Sequence, residues 1–118
     1  MLTKRNSRSE TRARYDAAPL FAALGDRTRL RLVDRLGQEG PLSISRLSDG
    51  SGVTRQAVTK HLQVLAEAGL ARGLRQGREQ LWQLEASKLD QARRSLERIS
   101  QRWDETLERL KVLVEADE

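Results

Sequence analysis

Residues 53–69, VTRQAVTKHLQVLAEAG, constrain this chain more than any other stretch, because they specify a helix with one dry face. Thr54 is the kind of residue that accepts a hydrogen bond from the free backbone N–H groups opening a helix. Val53 before it and Val58 at the fourth helical position make a hydrophobic staple that fixes how the chain enters. Gly69 suits the position just past the end. At about 100° per residue, Val58, Leu62 and Leu65 fall together, while Gln56, Thr59, Lys60 and Gln63 gather on the opposite side. Such a helix must rest on a core supplied by other segments while it offers amide, hydroxyl and ammonium groups outward.

The chain has 118 residues, of which 37% are apolar and 3% aromatic. That length suits one core, and with so few aromatics the core comes from Leu and Ala, both strong helix formers. Residues 1–15 carry Lys4, Arg5, Arg8, Arg12 and Arg14 with almost nothing apolar, which predicts a flexible basic arm ahead of a single domain over 16–118. Asp16 to Pro19 open a short apolar helix ending at Gly25. Asp26 is placed to cap a second helix, Arg27 to Leu36, with Leu30, Val33 and Leu36 as its stripe and Gly37, Gly40 and Pro41 breaking the pattern. A third helix starts after Ser43, with Ile44 and Leu47 inward, and stops in Asp49-Gly50-Ser51-Gly52.

After Gly69 the period shortens. Leu70 to Gln76 and Gln80 to Glu85 read as two strands joined at Gly77-Arg78. Two strands alone are marginal, so they must lean on the helices. Ser87 with Asp90 gives a weak capping box for a last helix over 88–116. Its seam of Leu89, Ala92, Leu96, Ile99, Trp103, Thr106, Leu110 and Leu113 steps in threes and fours. At roughly 40 Å by the helical rise, that helix outruns a domain this small, so part of the seam calls for a second chain. Leu96, Ile99, Trp103, Leu110 and Leu113 are the dimerisation candidates.

Charge separates along the chain. The formal net charge is +5, but residues 1–78 carry 15 Lys/Arg against 7 Asp/Glu and residues 79–118 carry 7 against 10. A basic region joined to an element with another job is the footprint of polyanion binding. The basic arm lacks the apolar face of an interfacial helix, so nucleic acid is favoured over a membrane surface. There is no Cys, which excludes disulfide frameworks, Cys–zinc sites and thiol catalysis. No apolar stretch approaches the roughly 20 residues of a membrane span, and a cytoplasmic protein is expected.

These elements add up to a mainly α fold, a winged helix-turn-helix: the helix-turn-helix over 43–68, a two-stranded β-hairpin wing over 70–85, and a long C-terminal dimerisation helix. The outer face of the second helix of the motif suits the major groove of double-stranded DNA, where Gln pairs with adenine, Lys reaches guanine and Thr meets a thymine methyl. Gln56, Thr59, Lys60 and Gln63 are the base-reading candidates. Arg27, Arg29, Arg55, His61, Arg75 and Arg78 are the phosphate-contacting candidates, Arg27 and Arg29 because they sit at a helix N-terminus. Arg72, Arg75 and Arg78 spread charge along the hairpin. His61, the single histidine, borders the buried face, so a packed, hydrogen-bonded role stands beside the phosphate contact. No nucleophile, base and acid converge, so an enzyme is not expected.

Asp26-Arg27-Thr28-Arg29-Leu30-Arg31-Leu32, Thr54 to Leu65, Ala68-Gly69-Leu70 and Gly77-Arg78-Glu79 together resemble the ArsR family of winged-helix repressors over about residues 17–114. The resemblance implies a homodimer, a recognition helix at Thr54 to Ala68, a wing at Leu70 to Glu85, and first and last helices that pair across the dimer. Metalloid-sensing relatives place two Cys at the start of the third helix, where this chain has Ser43 and Ser45. Zinc-sensing relatives use Asp, His and Glu on paired last helices, where this chain has no His. The expectation is therefore no metal and no cofactor, and the Trp103-Asp104-Glu105 stretch is similar to a metal-independent branch. The sequence names no small-molecule effector. The function expected is a homodimeric repressor blocking promoter access at a pseudo-palindromic operator. The alternative is a protein-interaction or nucleoid-architecture module without a defined operator.

Overall fold

The computed structural model describes residues 17–116; the basic arm expected over 1–15 lies outside them. Helix α1 spans Ala18–Leu24, with Pro19 in its first turn where a missing N–H does no harm. Helix α2 spans Arg27–Glu39, and Asp26 caps it by accepting from the Arg29 N–H at 3.0 Å. Helix α3 spans Ile44–Ser48, capped by Ser43, whose Oγ accepts from the Arg46 N–H at 3.2 Å.

Two expectations for α2 are corrected. The helix does not stop at Leu36 but continues through Gly37. An interior glycine costs about 1 kcal/mol against alanine, too little to end the helix here, and a Cβ at Gly37 would meet only Leu84 of the wing, at an ordinary 3.8 Å. The Arg35–Glu39 pair at 2.7 Å spans the added turn. The buried stripe is also rotated. Leu32 and Leu36 are buried and Val33 half-buried, whereas Leu30 is 51% exposed. The core lies along the line through Leu32, Val33 and Leu36, which leaves Leu30 to one side.

Helix α4, Arg55–Glu67, carries the staple and cap as expected: Thr54 Oγ1 accepts from the Ala57 N–H at 3.1 Å, and Val53 packs against the cluster that holds Val58. It ends in a Schellman motif. Leu70 N–H donates to Leu65 O and Gly69 N–H to Ala66 O, both at 2.9 Å, with Gly69 at φ +82. The motif drops Leu70, fully buried, into the core.

Strands β1, Ala71–Gln76, and β2, Glu79–Leu84, pair antiparallel from Ala71↔Leu84 to Gln76↔Glu79. Gly77 turns the chain at φ +64, and no non-glycine among the described residues has positive φ, so the turn is of the II′ kind. The hairpin is not left to lean on helices alone. Leu42 and Trp82 exchange both backbone hydrogen bonds, at 3.0 and 2.8 Å, tying the α2–α3 connection to the wing.

Helix α5 spans Ala86–Ala116, two residues earlier at its start than expected. The Ser87–Asp90 capping box is not formed. Glu85 O opens the helix by accepting from the N–H groups of Lys88 and Leu89, and Asp90 pairs with Arg93 and Arg94. The core gathers Leu20, Leu36, Leu47, Leu62, Leu65 and Leu70 from α1 to β1, and α5 joins it through Ala92 and Leu89, with Ser95 buried one turn on. Among the described residues no helix is long and apolar enough to cross a membrane.

Candidate nucleic-acid interface

Val58, Leu62 and Leu65 are each fully buried and set the rotation of α4 about its axis. Gln56, Lys60 and Gln63 are therefore left exposed, and Thr59 is half-buried. The Thr59 hydroxyl donates to the Arg55 carbonyl at 2.8 Å, so its methyl is the group left for an outside partner. Gln56, Lys60 and Gln63 thus fall on the face opposite the core, and Thr59 lies on its flank.

The phosphate-contacting candidates divide into two groups. Arg27 at the start of α2, Arg55 at the start of α4, and Arg75 and Arg78 on the wing are all exposed, and among the described residues none of them enters an ion pair. Arg72 is engaged instead with Glu85 at 2.7 Å. Arg29 and His61 form the second group and turn inward. The Arg29 guanidinium donates through Nε to Ala23 O at 2.5 Å, and its Nη1 lies 3.3 Å from His61 Nδ1. Asp26 Oδ2 is 3.8 Å from the same imidazole nitrogen. The Arg29 backbone N–H is the leading influence holding the Asp26 carboxyl below its ordinary range. Partial desolvation opposes it, and the Arg29 guanidinium and His61 add to it.

The pairing across 32 residues was not foreseen, although a signal for it exists. Arg29 stands at i, i+3, i+4, i+7 spacing with Leu32, Val33 and Leu36, and His61, three residues after Val58 and four before Leu65, borders the buried face of its helix. A polar residue on an inward stripe needs a buried partner.

A second open surface lies on α5. Leu96 (51%), Ile99 (39%), Trp103 (62%), Leu110 (51%) and Leu113 (64%) are all exposed, joined by Leu107, Val112 and Val114, which the expected seam omitted. Thr106, placed in that seam, is half-buried and returns its hydroxyl to Arg102 O at 3.0 Å. Apolar side chains in this density mark a surface that awaits a partner.

Among the described residues no group of three or more His, Asp or Glu comes together as a metal site. Ser43 is occupied with its helix cap, as given above.

Comparison with known proteins agrees with this geometry. A family model described as a helix-turn-helix domain matches residues 24–73. The HTH-type transcriptional regulator Rv2034 of Mycobacterium tuberculosis is 34% identical over 97 residues, covering 82% of this chain and 87% of that protein. An ArsR-like transcriptional regulator from Rhodococcus sp. RHA1 superposes with a TM-score of 0.67 at 37% identity, covering 83% of this chain and 92% of the other. The homodimeric winged helix-turn-helix DNA-binding domain of Mb0332 from Mycobacterium bovis gives a TM-score of 0.58 at 26% identity, with 76% and 80% coverage.

Proposed function

Because the chain belongs to the ArsR family of winged helix-turn-helix transcriptional regulators, and so is a DNA-binding regulator, we propose that it is a homodimeric repressor of a pseudo-palindromic operator. Gln56, Thr59, Lys60 and Gln63 read base edges in the major groove, and Arg27, Arg55, Arg75 and Arg78 hold phosphates. Repression follows from occupying the DNA that polymerase needs. The observation that carries the reading is the division of α4 into a fully buried apolar face and an exposed amide and ammonium face. The homodimeric state of the Mycobacterium bovis domain and the open apolar face of α5 support a two-fold assembly.

We place the chain with metal-independent regulators. Ser43 and Ser45 offer hydroxyls where metalloid sensors offer thiolates, and a neutral hydroxyl is a poor ligand for a soft ion. The domain organisation follows the same reading: one winged-helix domain from residue 16 onward, with the basic segment before it as an arm.

Footprinting of the full chain on DNA recovered by in vitro selection tests the proposal. The expected result is sequence-selective protection of two half-sites about 34 Å, one helical turn, or a multiple of it apart, unchanged by micromolar zinc, cadmium or arsenite or by chelators. Uniform protection without a preferred sequence would instead favour a nucleoid-architecture role, and release by a metal would overturn the metal-independent assignment.

A further inference from the structure

Arg29 on α2 and His61 on α4 are both half-buried polar residues beside the apolar stripes of their helices, and the two touch. Arg29 bridges three elements at once. Its Nε donates to Ala23 O at the end of α1, its backbone N–H donates to the Asp26 cap of α2, and its Nη1 reaches His61 Nδ1 on α4 at 3.3 Å. The His61 side chain is 24% exposed, so it is largely covered yet open to protons from solvent.

We propose that Arg29 and His61 are the positioning pair that seats the recognition helix against α1 and α2, and that protonation of His61 unseats it, so that operator affinity falls in acid. The inference rests on the DNA-binding reading above.

A guanidinium has donors and no acceptor. Contact with Nδ1 therefore requires the neutral imidazole, with its hydrogen on Nε2 and the Nδ1 lone pair toward Arg29. A proton added at Nδ1 converts the acceptor into a donor and sets two cations against each other. It also gives the imidazole an attraction to Asp26 Oδ2, 3.8 Å away, which already accepts the N–H that caps α2. Protonation thus exchanges the partner of His61 from Arg29 to Asp26, and the tie that runs from Ala23 through Arg29 to α4 is lost.

Among the described residues the charged groups in contact with His61 are Arg29 and Asp26, both at the start of α2. Helix α1 has no charged side chain and presents the Ala23 carbonyl to Arg29. On α4 itself the positions one turn away are Ala57, Val58, Val64 and Leu65, none of them titratable. Imidazole is the side chain that ordinarily changes charge between about pH 5 and 8, and His61 is the only histidine present, so its signals are unambiguous.

The test measures affinity of the full chain for the selected operator, at fixed salt, near about pH 8 and about pH 5.5. Wild type should bind about three- to tenfold more weakly at the lower pH, the scale of one hydrogen bond's net worth. His61→Asn keeps an acceptor near the Nδ1 position but does not titrate, so its affinity should no longer vary between the two values. His61→Leu, which deletes the acceptor, should be weak at both. Nitrogen NMR of the wild-type imidazole at about pH 8 should show the hydrogen on Nε2, a result that does not depend on any variant folding.

Stronger wild-type binding in acid, lost in His61→Asn, would make His61 a phosphate contact and overturn the proposal. A flat wild-type profile, a profile unchanged in His61→Asn, or a hydrogen found on Nδ1 would overturn it equally. If wild type selects no DNA sequence at the higher pH, the DNA-binding reading is what fails, and the NMR result still decides the pair.

Discussion

Helices α4 and α5 are both amphipathic, yet their apolar faces meet opposite fates. Val58, Leu62 and Leu65 of α4 are fully buried by the chain's own α1 to α3 and wing, while Trp103, Leu107 and Leu113 of α5 are 61–64% exposed. The open surfaces differ in kind as well: on α4 what faces outward is amide and ammonium, on α5 it is hydrocarbon. The comparison teaches that periodicity tells which face of a helix seeks cover, while length tells whether its own chain supplies it. At 31 residues α5 runs about 46 Å, and only its first turns reach the core. A polar open face suits a polyanion, and an apolar open face suits a second copy.

The most direct way to break the comparison is to remove residues 96–118. If the α5 face is a dimer seam, sedimentation should show the dimer replaced by monomer or by insoluble protein, the largest effect expected of any change here. Operator affinity should fall with it, because two half-sites then bind as separate events. An intact soluble dimer after truncation would place the dimer contact elsewhere. A paired substitution sharpens the same point. Leu62→Ala should lower unfolding stability by about 2 to 5 kcal/mol, the range for deleting a fully buried leucine side chain, and leave the concentration at which dimers dissociate nearly unchanged. Leu110→Ala should do the reverse, moving the dissociation midpoint measured by sedimentation with a smaller effect within each subunit.

Local signals made much of this fold legible. Caps at Asp26, Ser43 and Thr54, the Gly69 helix end and the Gly77 turn all appear where residue type demanded them, because each is decided by groups within a few positions. What was not legible depended on distant neighbours. Gly37 reads as a breaker, yet α2 runs through it to Glu39. Leu30 has the right spacing for the core, but Leu32 takes that place because the surrounding helices lie along the other line. The Ser87–Asp90 box lost to arginines one turn further on. On the candidate interface, the outward residues of α4 could be assigned from the wheel, whereas Arg29, at a helix start, reads as a phosphate contact. Its contact with His61 lies 32 residues away, and a single sequence does not show that pairing.

The polar face of α4 yields the next effect in size. Gln56→Ala or Lys60→Ala should cost about 1 to 3 kcal/mol on the selected operator and much less on random DNA, with the dimer untouched in sedimentation. That outcome would separate the two open surfaces by function as they are separated by chemistry. Equal losses on both DNAs would mean that α4 contributes charge and shape without reading bases, and the architectural alternative would gain.

The smallest effect belongs to the wing tip, and it tests whether the hairpin works as a charge or as a reader. Arg78 is exposed beside Gly77 at the turn, outside any ion pair among the described residues, and its backbone is fixed by the register that ends at Gln76↔Glu79. Its guanidinium belongs to the turn end of the ribbon, three pairs past the Gly73↔Trp82 pair where the bridge to Leu42 is made. A phosphate contact there displaces condensed counterions and carries no sequence information. Arg78→Ala should therefore weaken operator and random DNA by similar factors and reduce the salt slope of log K by about 1 per contact removed. Titrations at several salt concentrations on both DNAs read the two quantities separately. A loss confined to the operator would make the wing a base reader, and an unchanged slope would mean that the tip never meets the DNA.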